Sequence, residues 1–226
     1  MGQKINPFSY RLGIIRDWSS RWFSHKKDFK KLLEEDMVIR RAIIDKVSQA
    51  GIIKIDIERG AHGAYRVFVK AARPGLIIGR GGKGVEDLTK QIESSLKKLL
   101  NSRPGTKSKL SLSLNIEELK KSEVAAQYAA QSIAWDLERR LPARRVMKKS
   151  LEQIMQNRDV KGAKVRLSGR IDGNEISRRE WVAKGSMPLT TLRADIDYGE
   201  ARSYCTYGNV GVKVWIYKGE VFNKKA

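Results

Sequence analysis

Residues 79 to 84 read Gly79-Arg80-Gly81-Gly82-Lys83-Gly84, a glycine loop that decides how the first half of the chain folds. A short apolar segment, Pro74 to Ile78, precedes the loop. A helical pattern follows it, with one apolar stripe formed by Val85, Leu88, Ile92, Leu96 and Leu99. Because glycines have no side chain, another molecule can come close to the main chain here. The loop therefore links two helices and is a candidate binding site.

Two phosphate-binding interpretations of the glycine loop fail on context. The loop matches the dinucleotide-binding pattern G-x-G-x-x-G, but that pattern follows a strand directly and has an acidic residue about twenty positions later. Here Ala72 to Ile78 intervenes, and the expected acidic region reads Ser102-Arg103-Pro104-Gly105. A P-loop needs Gly and Ser or Thr where this chain has Ile77 and Gly84. Two interpretations stay open at this point: an ordinary helix-connecting turn, and a Gly-x-x-Gly link that holds a nucleic-acid backbone.

The elements around the glycine loop have an informative order. Apolar residues recur at three- and four-residue steps from Asp28 to Gly51, which predicts a helix. Alternation then predicts a β-hairpin, whose strands contain Ile53, Ile55 and Ile57, and Tyr65, Val67 and Val69, joined by Gly60-Ala61-His62-Gly63. After the turn-rich segment Asn101 to Lys109, another strand is predicted from Leu110 to Ile116. The order helix, strand, strand, helix, loop, helix, strand is that of a type 2 KH domain.

In a KH domain the loop glycines have a physical function. They let a ribose-phosphate backbone reach the main chain, and the next helix offers unpaired N–H donors and a positive dipole end. Arg80 and Lys83 add positive charge at the same place. This interpretation predicts an RNA-binding loop made of Gly79, Arg80, Gly81, Gly82 and Lys83.

The second half of the chain starts with helices and ends with strands. A helix is predicted from Ser122 to Leu141, and Pro142 separates it from a second helix that runs to Arg158. Strands are predicted at Ala163 to Ser168, Glu180 to Ala183, Leu192 to Asp197, and Val210 to Tyr217.

The whole pattern predicts an α+β protein with two domains. An aromatic-rich, basic N-terminal arm occupies residues 1–27, and the type 2 KH domain (α-β-β-α-α-β) occupies residues 28–117. A C-terminal α/β domain, with two helices packed on a mainly antiparallel sheet, occupies residues 118–226.

The helix after Pro142 carries the strongest charge run. Six cations and no acid lie between Arg139 and Lys149. The pairs Arg144/Lys148 and Arg145/Lys149 are four residues apart and stack on one side of a helix, opposite Val146, Met147 and Leu151. Like charges at this spacing destabilise a helix by about 0.2–0.5 kcal/mol per pair, a cost that a bound polyanion removes. A solvated basic face without a ligand is the commoner alternative for isolated charge runs.

Composition favours a polyanionic partner and leaves little for catalysis. The net charge is +21, and no run of eighteen apolar residues indicates a membrane span. The single Cys205 cannot form an intramolecular disulfide, which is typical of a reducing, cytosolic setting, and no Cys/His cluster has zinc spacing. No nucleophile, metal set or poised carboxylate pair is found, so neither an enzyme nor a cofactor is expected. The five tryptophans are scattered and are not assigned to RNA binding.

Several separated motifs, in order, resemble one family, that of the bacterial small-subunit ribosomal protein three. The motifs are Met1-Gly2-Gln3-Lys4-Ile5-Asn6-Pro7, Arg11-Leu12-Gly13, Ala72-Arg73-Pro74-Gly75, Leu137-Glu138-Arg139-Arg140, Leu192-Arg193-Ala194-Asp195-Ile196-Asp197-Tyr198 and Gly211-Val212-Lys213-Val214-Trp215-Ile216. The resemblance extends from Met1 to about Gly219, nearly the whole chain. One departure concerns the tetrad Gly79 to Gly82, whose two middle residues include a single cation, Arg80.

The resemblance implies a cytoplasmic, ribosomal protein in the head of the small subunit. Its implied partners are small-subunit ribosomal RNA, messenger RNA near the opening where it enters, and neighbouring ribosomal proteins, with no membrane partner. The family's basic residues implicated in unwinding structured messages correspond to Arg144, Arg145 and Lys148. The expected RNA-binding set beyond the glycine loop is Arg140, Arg144, Arg145, Lys148, Lys149, Arg178, Arg179, Arg193, Lys4 and Arg11. A free KH-type regulator and an enzyme acting on nucleic acid are the alternatives from other classes.

Overall fold

A computed structural model gives the fold and describes residues 4–60, 64–101, 110–119 and 124–222. The middle of the predicted hairpin link (61–63), most of the turn-rich segment (102–109) and the predicted helix start at Ser122 lie outside these residues. The chain forms two compact units. One is Trp18–Leu119, and the other combines Met1–Asp17 with Lys120–Ala226.

The unit Trp18–Leu119 has the predicted order of elements. A short helix α1 (Pro7–Tyr10) precedes it and belongs to the other unit. The elements of the unit itself are β1 (Ser20–Arg21), α2 (Lys26–Val47), β2 (Ile52–Arg59), β3 (Ala64–Ala71), α3 (Pro74–Ile78), α4 (Lys83–Asn101) and β4 (Ser111–Glu118). The order α-β-β-α-α-β from α2 to β4 confirms the KH interpretation. The strand β1 was not predicted, because two residues are too few to establish an alternating pattern.

The sheet of this unit has the order β1-β2-β3-β4. The pair β2/β3 is antiparallel, whereas β1 and β4 are parallel to their neighbours. The apolar stripe predicted on α4 packs on this sheet, with Leu88, Ile92 and Leu96 buried against Ile57, Val67 and Val69 of the same core. Burial of that stripe fixes the rotation of α4 about its axis and therefore the direction in which its N-terminus points.

The second unit has two helices on one face of an antiparallel sheet, as predicted. Its elements after α1 are α5 (Ala126–Glu138), α6 (Ala143–Met155), β5 (Gly162–Gly169), β6 (Arg178–Gly185), β7 (Ala194–Cys205) and β8 (Gly208–Glu220). The strand order is β6-β5-β8-β7, and every neighbouring pair is antiparallel. The core lies between the helices and the sheet and includes Ile133, Met147, Val165, Leu167, Val212 and Val214.

The sheet of the second unit has one face covered by helices and one open face. On β5, Ala163, Val165 and Leu167 are buried, while Lys164 and Arg166 point to the other side. Directly opposed residues in an antiparallel pair share a face. The open face therefore includes Trp181 opposite Arg166 on one side and Lys213 opposite Arg166 on the other.

Candidate nucleic-acid interface

The glycine loop has the conformation that only glycine adopts readily. Gly79, Gly81 and Gly82 have φ angles of 68°, 62° and 81°, in the left-handed region. Gly84 has a different function. A Cβ at Gly84 would lie 2.4 Å from the carbonyl oxygen of Ile77, so this glycine allows α3 and α4 to approach each other closely.

The outer part of the glycine loop is accessible. A Cβ added at Gly81 or Gly82 would meet no atom within 4 Å, and both Arg80 and Lys83 are exposed. The loop leads directly into α4, where the Lys83 N–H donates to Arg80 O. The next N–H groups of the first turn are those that a helix N-terminus leaves without an intrahelical partner. The first turn also contains the exposed Glu86. The loop thus combines free space, mobile cations and main-chain donors, which suits a phosphate group.

The basic face of α6, formed by Arg144, Arg145, Lys148 and Lys149, is exposed as predicted. The opposite side of the helix is buried through Ala143, Val146, Met147, Leu151 and Ile154. Among the described residues, Arg145, Lys148 and Lys149 form no ion pair. These three cations are therefore available to an external anion.

Two acidic residues that the sequence analysis did not identify position α6 and its first cation. Asp172 accepts a hydrogen bond from the Ala143 N–H at 3.0 Å and so caps the helix N-terminus. Glu180 accepts from Arg144 Nε at 3.3 Å and pairs with Arg178 Nε at 2.9 Å. Asp172 is 29 residues from Ala143 and Glu180 is 36 residues from Arg144, so no local pattern could indicate these contacts.

Arg178 and Arg179 are adjacent in sequence but lie on different faces of the sheet. Arg178 opposes Gly169 on the helix-covered face, next to Arg144 across Glu180. Arg179 opposes Ser168 on the open face. Only Arg178 therefore belongs with the basic face of α6.

Arg140 has a strained backbone between α5 and α6. Its φ angle is 62°, and its N–H donates to Leu137 O while the Leu141 N–H donates to Asp136 O. This closes α5 with the bond pattern of a Schellman turn, in which glycine is the usual residue. Holding a bulky residue there costs roughly 1–2 kcal/mol. The exposed Arg140 side chain lies immediately before α6.

Two other expected RNA-binding residues, Arg193 and Lys4, lie apart from α6. Arg193 is exposed, pairs with Glu220 at 2.6 Å and lies over the Phe222 ring. Arg193 directly precedes β7, whose first residue Ala194 pairs with Glu220. This end of the sheet is far from Arg178, which pairs with Gly169 at the opposite end of β5. Lys4 is exposed and lies close enough to Lys164 on the open face to lower the pKa of Lys164, after the larger effect of burial.

Arg11 is a correction to the expected set, because its guanidinium is inside the unit. Arg11 is fully buried and donates to the backbone carbonyls of Pro7, Leu189 and Thr191 at 3.1, 2.8 and 2.8 Å. Burial lowers the pKa of Arg11, the expected effect of removing a cation from water. A buried guanidinium held by three carbonyls through its two terminal nitrogens, with Nε unpaired, fastens residues 1–17 to their unit and does not face RNA.

Other chemistry has little support in the described part of the chain. No group of three or more His, Cys, Asp or Glu side chains there could hold a metal ion. No described helix has the length and apolar character needed to cross a membrane. Cys205 is a half-buried free thiol.

Comparison with known proteins identifies both units. A profile of the KH domain matches residues 38–124, and a profile of the ribosomal protein S3 C-terminal domain matches residues 133–216. The small ribosomal subunit protein uS3 of Caldicellulosiruptor bescii is 47% identical over 226 residues, covering 100% of this chain and 96% of the relative. The corresponding protein of Desulfitobacterium hafniense is 47% identical over 225 residues (100% and 96%), and that of Alkaliphilus oremlandii 45% over 225 residues (100% and 89%). The chain therefore belongs to the small ribosomal subunit protein uS3 family, whose members are structural components of the ribosome and not enzymes.

Proposed function

We propose that this chain binds ribosomal RNA in the head of the small subunit, that its glycine loop holds an RNA backbone, and that it presents the basic face of α6 to incoming messenger RNA, where it helps to open structured messages. As a uS3 family member the chain is an RNA-binding ribosomal protein of the cytoplasm, with ribosomal RNA and other ribosomal proteins as partners. The contact with messenger RNA and the opening of structured messages are proposed in addition to this family role.

The proposed messenger RNA role rests on one observation, which is that the cations of α6 are available to an external anion. Arg145, Lys148 and Lys149 are exposed and have no ion pair within the described residues, whereas Arg144 is tethered to Glu180. Permanent ribosomal RNA contacts would be satisfied by a rigid surface, but a moving strand needs mobile cations that bind one phosphate after another. Lys and Arg on long flexible side chains fit that requirement.

The test is the triple variant Arg144→Ala, Arg145→Ala, Lys148→Ala in a reconstituted translation system. Removing these exposed cations leaves the buried side of α6 intact and reduces like-charge repulsion. The loss of the exposed Arg144–Glu180 ion pair costs at most about 1 kcal/mol, so stability should change little. We expect normal incorporation into small subunits. Relative to the native protein, the variant should slow translation of a message with a stable downstream hairpin more than translation of an unstructured message. The control replaces three exposed cations outside α6, Arg158, Lys161 and Lys184, by Ala.

Three results would contradict the messenger RNA role. Poor incorporation of the α6 variant would assign these residues to assembly. Equal slowing of structured and unstructured messages would remove the link to message structure, as would the same selective slowing with the control variant.

A further inference from the structure

The open face of the C-terminal sheet carries a cluster of cations around an exposed tryptophan. Strand register places Trp181, Arg166, Lys213 and Glu200 in one row across β6, β5, β8 and β7. An adjacent row contains Lys164, Trp215 and Tyr198, and the row on the other side contains Arg179 and Arg202. The open face thus brings together residues from four strands that are dispersed in sequence.

Charge on the open face is strongly one-sided. Its described central residues include the cations Lys164, Arg166, Arg179, Arg202 and Lys213, against the single carboxylate of Glu200. Glu200 is already engaged by the Tyr198 hydroxyl at 2.9 Å and by Lys213 Nζ at 3.7 Å. Burial lowers the pKa of Lys164, and the nearby charges of Lys4 and Arg166 lower it further. An anion placed here would relieve that repulsion.

The tryptophan beside these cations is accessible to solvent. Trp181 is 61% exposed, on the edge strand β6. The Lys164 ammonium lies 4.8 Å from its ring centroid and 5.8 Å from that of Trp215. One end of the open face is closed, since Ile196 and Tyr217 are buried with Met187 and Leu189. The part with Trp181 and Arg166 has no such cover among the described residues.

We propose that the open face binds a single-stranded segment of RNA, with the Trp181 indole stacking on a base and Lys164, Arg166 and Lys213 contacting phosphates. Aromatic side chains on an exposed sheet, between cations, are a general solution for binding unpaired bases. A protein partner is disfavoured by the charge, because interface centres are depleted in lysine and in unpaired charge. The proposal rests on the RNA-binding function above and adds a surface separate from the glycine loop and from α6.

The test measures binding of a short fluorescein-labelled oligouridylate to the full chain. Replacing Trp181 by Ala should weaken binding about 5- to 150-fold, the range for loss of one stacked base, while Trp181→Phe should retain most of it. The paired change Arg166→Gln, Lys213→Gln should also weaken binding, with a smaller salt dependence. Phe23→Ala, an aromatic change at a 92% exposed site in the other unit, is the matched control and should have no effect. Thermal unfolding of each variant checks that the sheet remains folded.

A phosphate-only competitor separates stacking from charge. Inorganic polyphosphate should bind equally to the native chain and to Trp181→Phe or Trp181→Ala, and more weakly to the paired cation variant. Unchanged oligouridylate affinity of Trp181→Ala would overturn the proposal. If the α6 triple variant or Gly82→Asp still weakens binding in that case, the RNA-binding function stands without the open face; if none of the variants weakens it, the RNA-binding function fails too. Reduced incorporation of Trp181→Ala into subunits with unchanged RNA affinity would assign the open face to a protein neighbour and also overturn the proposal.

Discussion

Arg59 lies between two buried carboxylates at the centre of a polar network in the KH unit. Its guanidinium donates to Glu35 at 2.6 Å, to Asp36 at 2.5 Å and to the carbonyl of Leu32 at 2.6 Å. Burial alone would lower the pKa of Arg59, but the bonds to Glu35 and Asp36 more than offset it and raise the pKa. The Tyr65 hydroxyl donates to Glu35, and burial together with this bond raises the pKa of Tyr65 to about 12.

Removing the Arg59 charge should therefore be costly. In Arg59→Met, two carboxylates with side-chain exposures of 4% and 2% would lose the Arg59 guanidinium that lies between them. We expect the free energy of unfolding to fall by about 3–5 kcal/mol, measured by urea denaturation. Arg21→Ala, which removes the half-exposed pair with Glu58, is the control and should cost at most about 1 kcal/mol. Equal small losses in both variants would mean that the network adds nothing beyond an ordinary surface pair.

The fate of single cations was the hardest part to predict from sequence. Arg11 and Arg145 both lie in basic segments of the sequence. In the structure Arg11 is buried against three carbonyls, whereas Arg145 is exposed. The carbonyls of Leu189 and Thr191 are 178 and 180 residues away from Arg11, so only the folded chain reveals them. The sequence gives Trp181 no role for the same reason, since the cation opposite it, Arg166, comes from another strand.

Among the elements, the glycine loop separates two roles of glycine that the sequence pattern merges. Gly82 has a left-handed φ and open space around it, whereas Gly84 is packed against the backbone of α3. The sequence predicts a helix-linking loop with a functional surface. It cannot distinguish a glycine that is needed for a left-handed backbone from one that is needed for close packing of two helices. Similarly, the period of α2 predicted one apolar face, but Phe29, Leu33 and Met37 on its first half are exposed.

Two variants at Gly82 with similar backbone strain test whether the loop binds RNA. Asp and Asn have similar shapes and tolerate the left-handed region comparably, so both should change stability by a similar amount, about 1 kcal/mol. Only Gly82→Asp adds negative charge where a phosphate should approach. We expect Gly82→Asp to bind RNA several-fold more weakly than Gly82→Asn at low salt, in a fluorescence titration. Equal affinity of the two variants would mean that the loop glycine serves only the turn.

For the molecule as a whole, the division into units differs from the composition-based division of the chain. The arm predicted at 1–27 is split, because residues 1–17 join the C-terminal unit and residues from Trp18 join the KH unit. Ser20 and Trp22 both donate to Asp36 at 2.8 Å, and β1 pairs with β2. Composition could detect an aromatic-rich basic segment, but it could not show which of its residues would be fastened to which unit.

Fragments measure what the segment after Asp17 contributes. We expect a fragment of residues 18–119 to be more stable than a fragment of residues 28–117 by about 2 kcal/mol or more in urea denaturation, because the shorter one loses two hydrogen bonds to the buried Asp36 carboxylate. A fragment of residues 18–117 is the control for the last two residues and should match 18–119. If the fragment 28–117 is as stable as the others, the segment 18–27 is not part of the folded KH unit.

The attachment of Arg11 to Leu189 and Thr191 also determines when the first residues of the chain can be placed during synthesis. Residues 1–17 emerge first, yet the carbonyls that hold Arg11 are made 178 and 180 residues later, after the whole KH unit. At a usual elongation rate this delay is roughly 10–40 s. The strand β8, which occupies an interior position of its sheet, is made later still. Arg11 therefore stays undocked and charged during synthesis until the segment with Leu189 and Thr191 has been made and can fold.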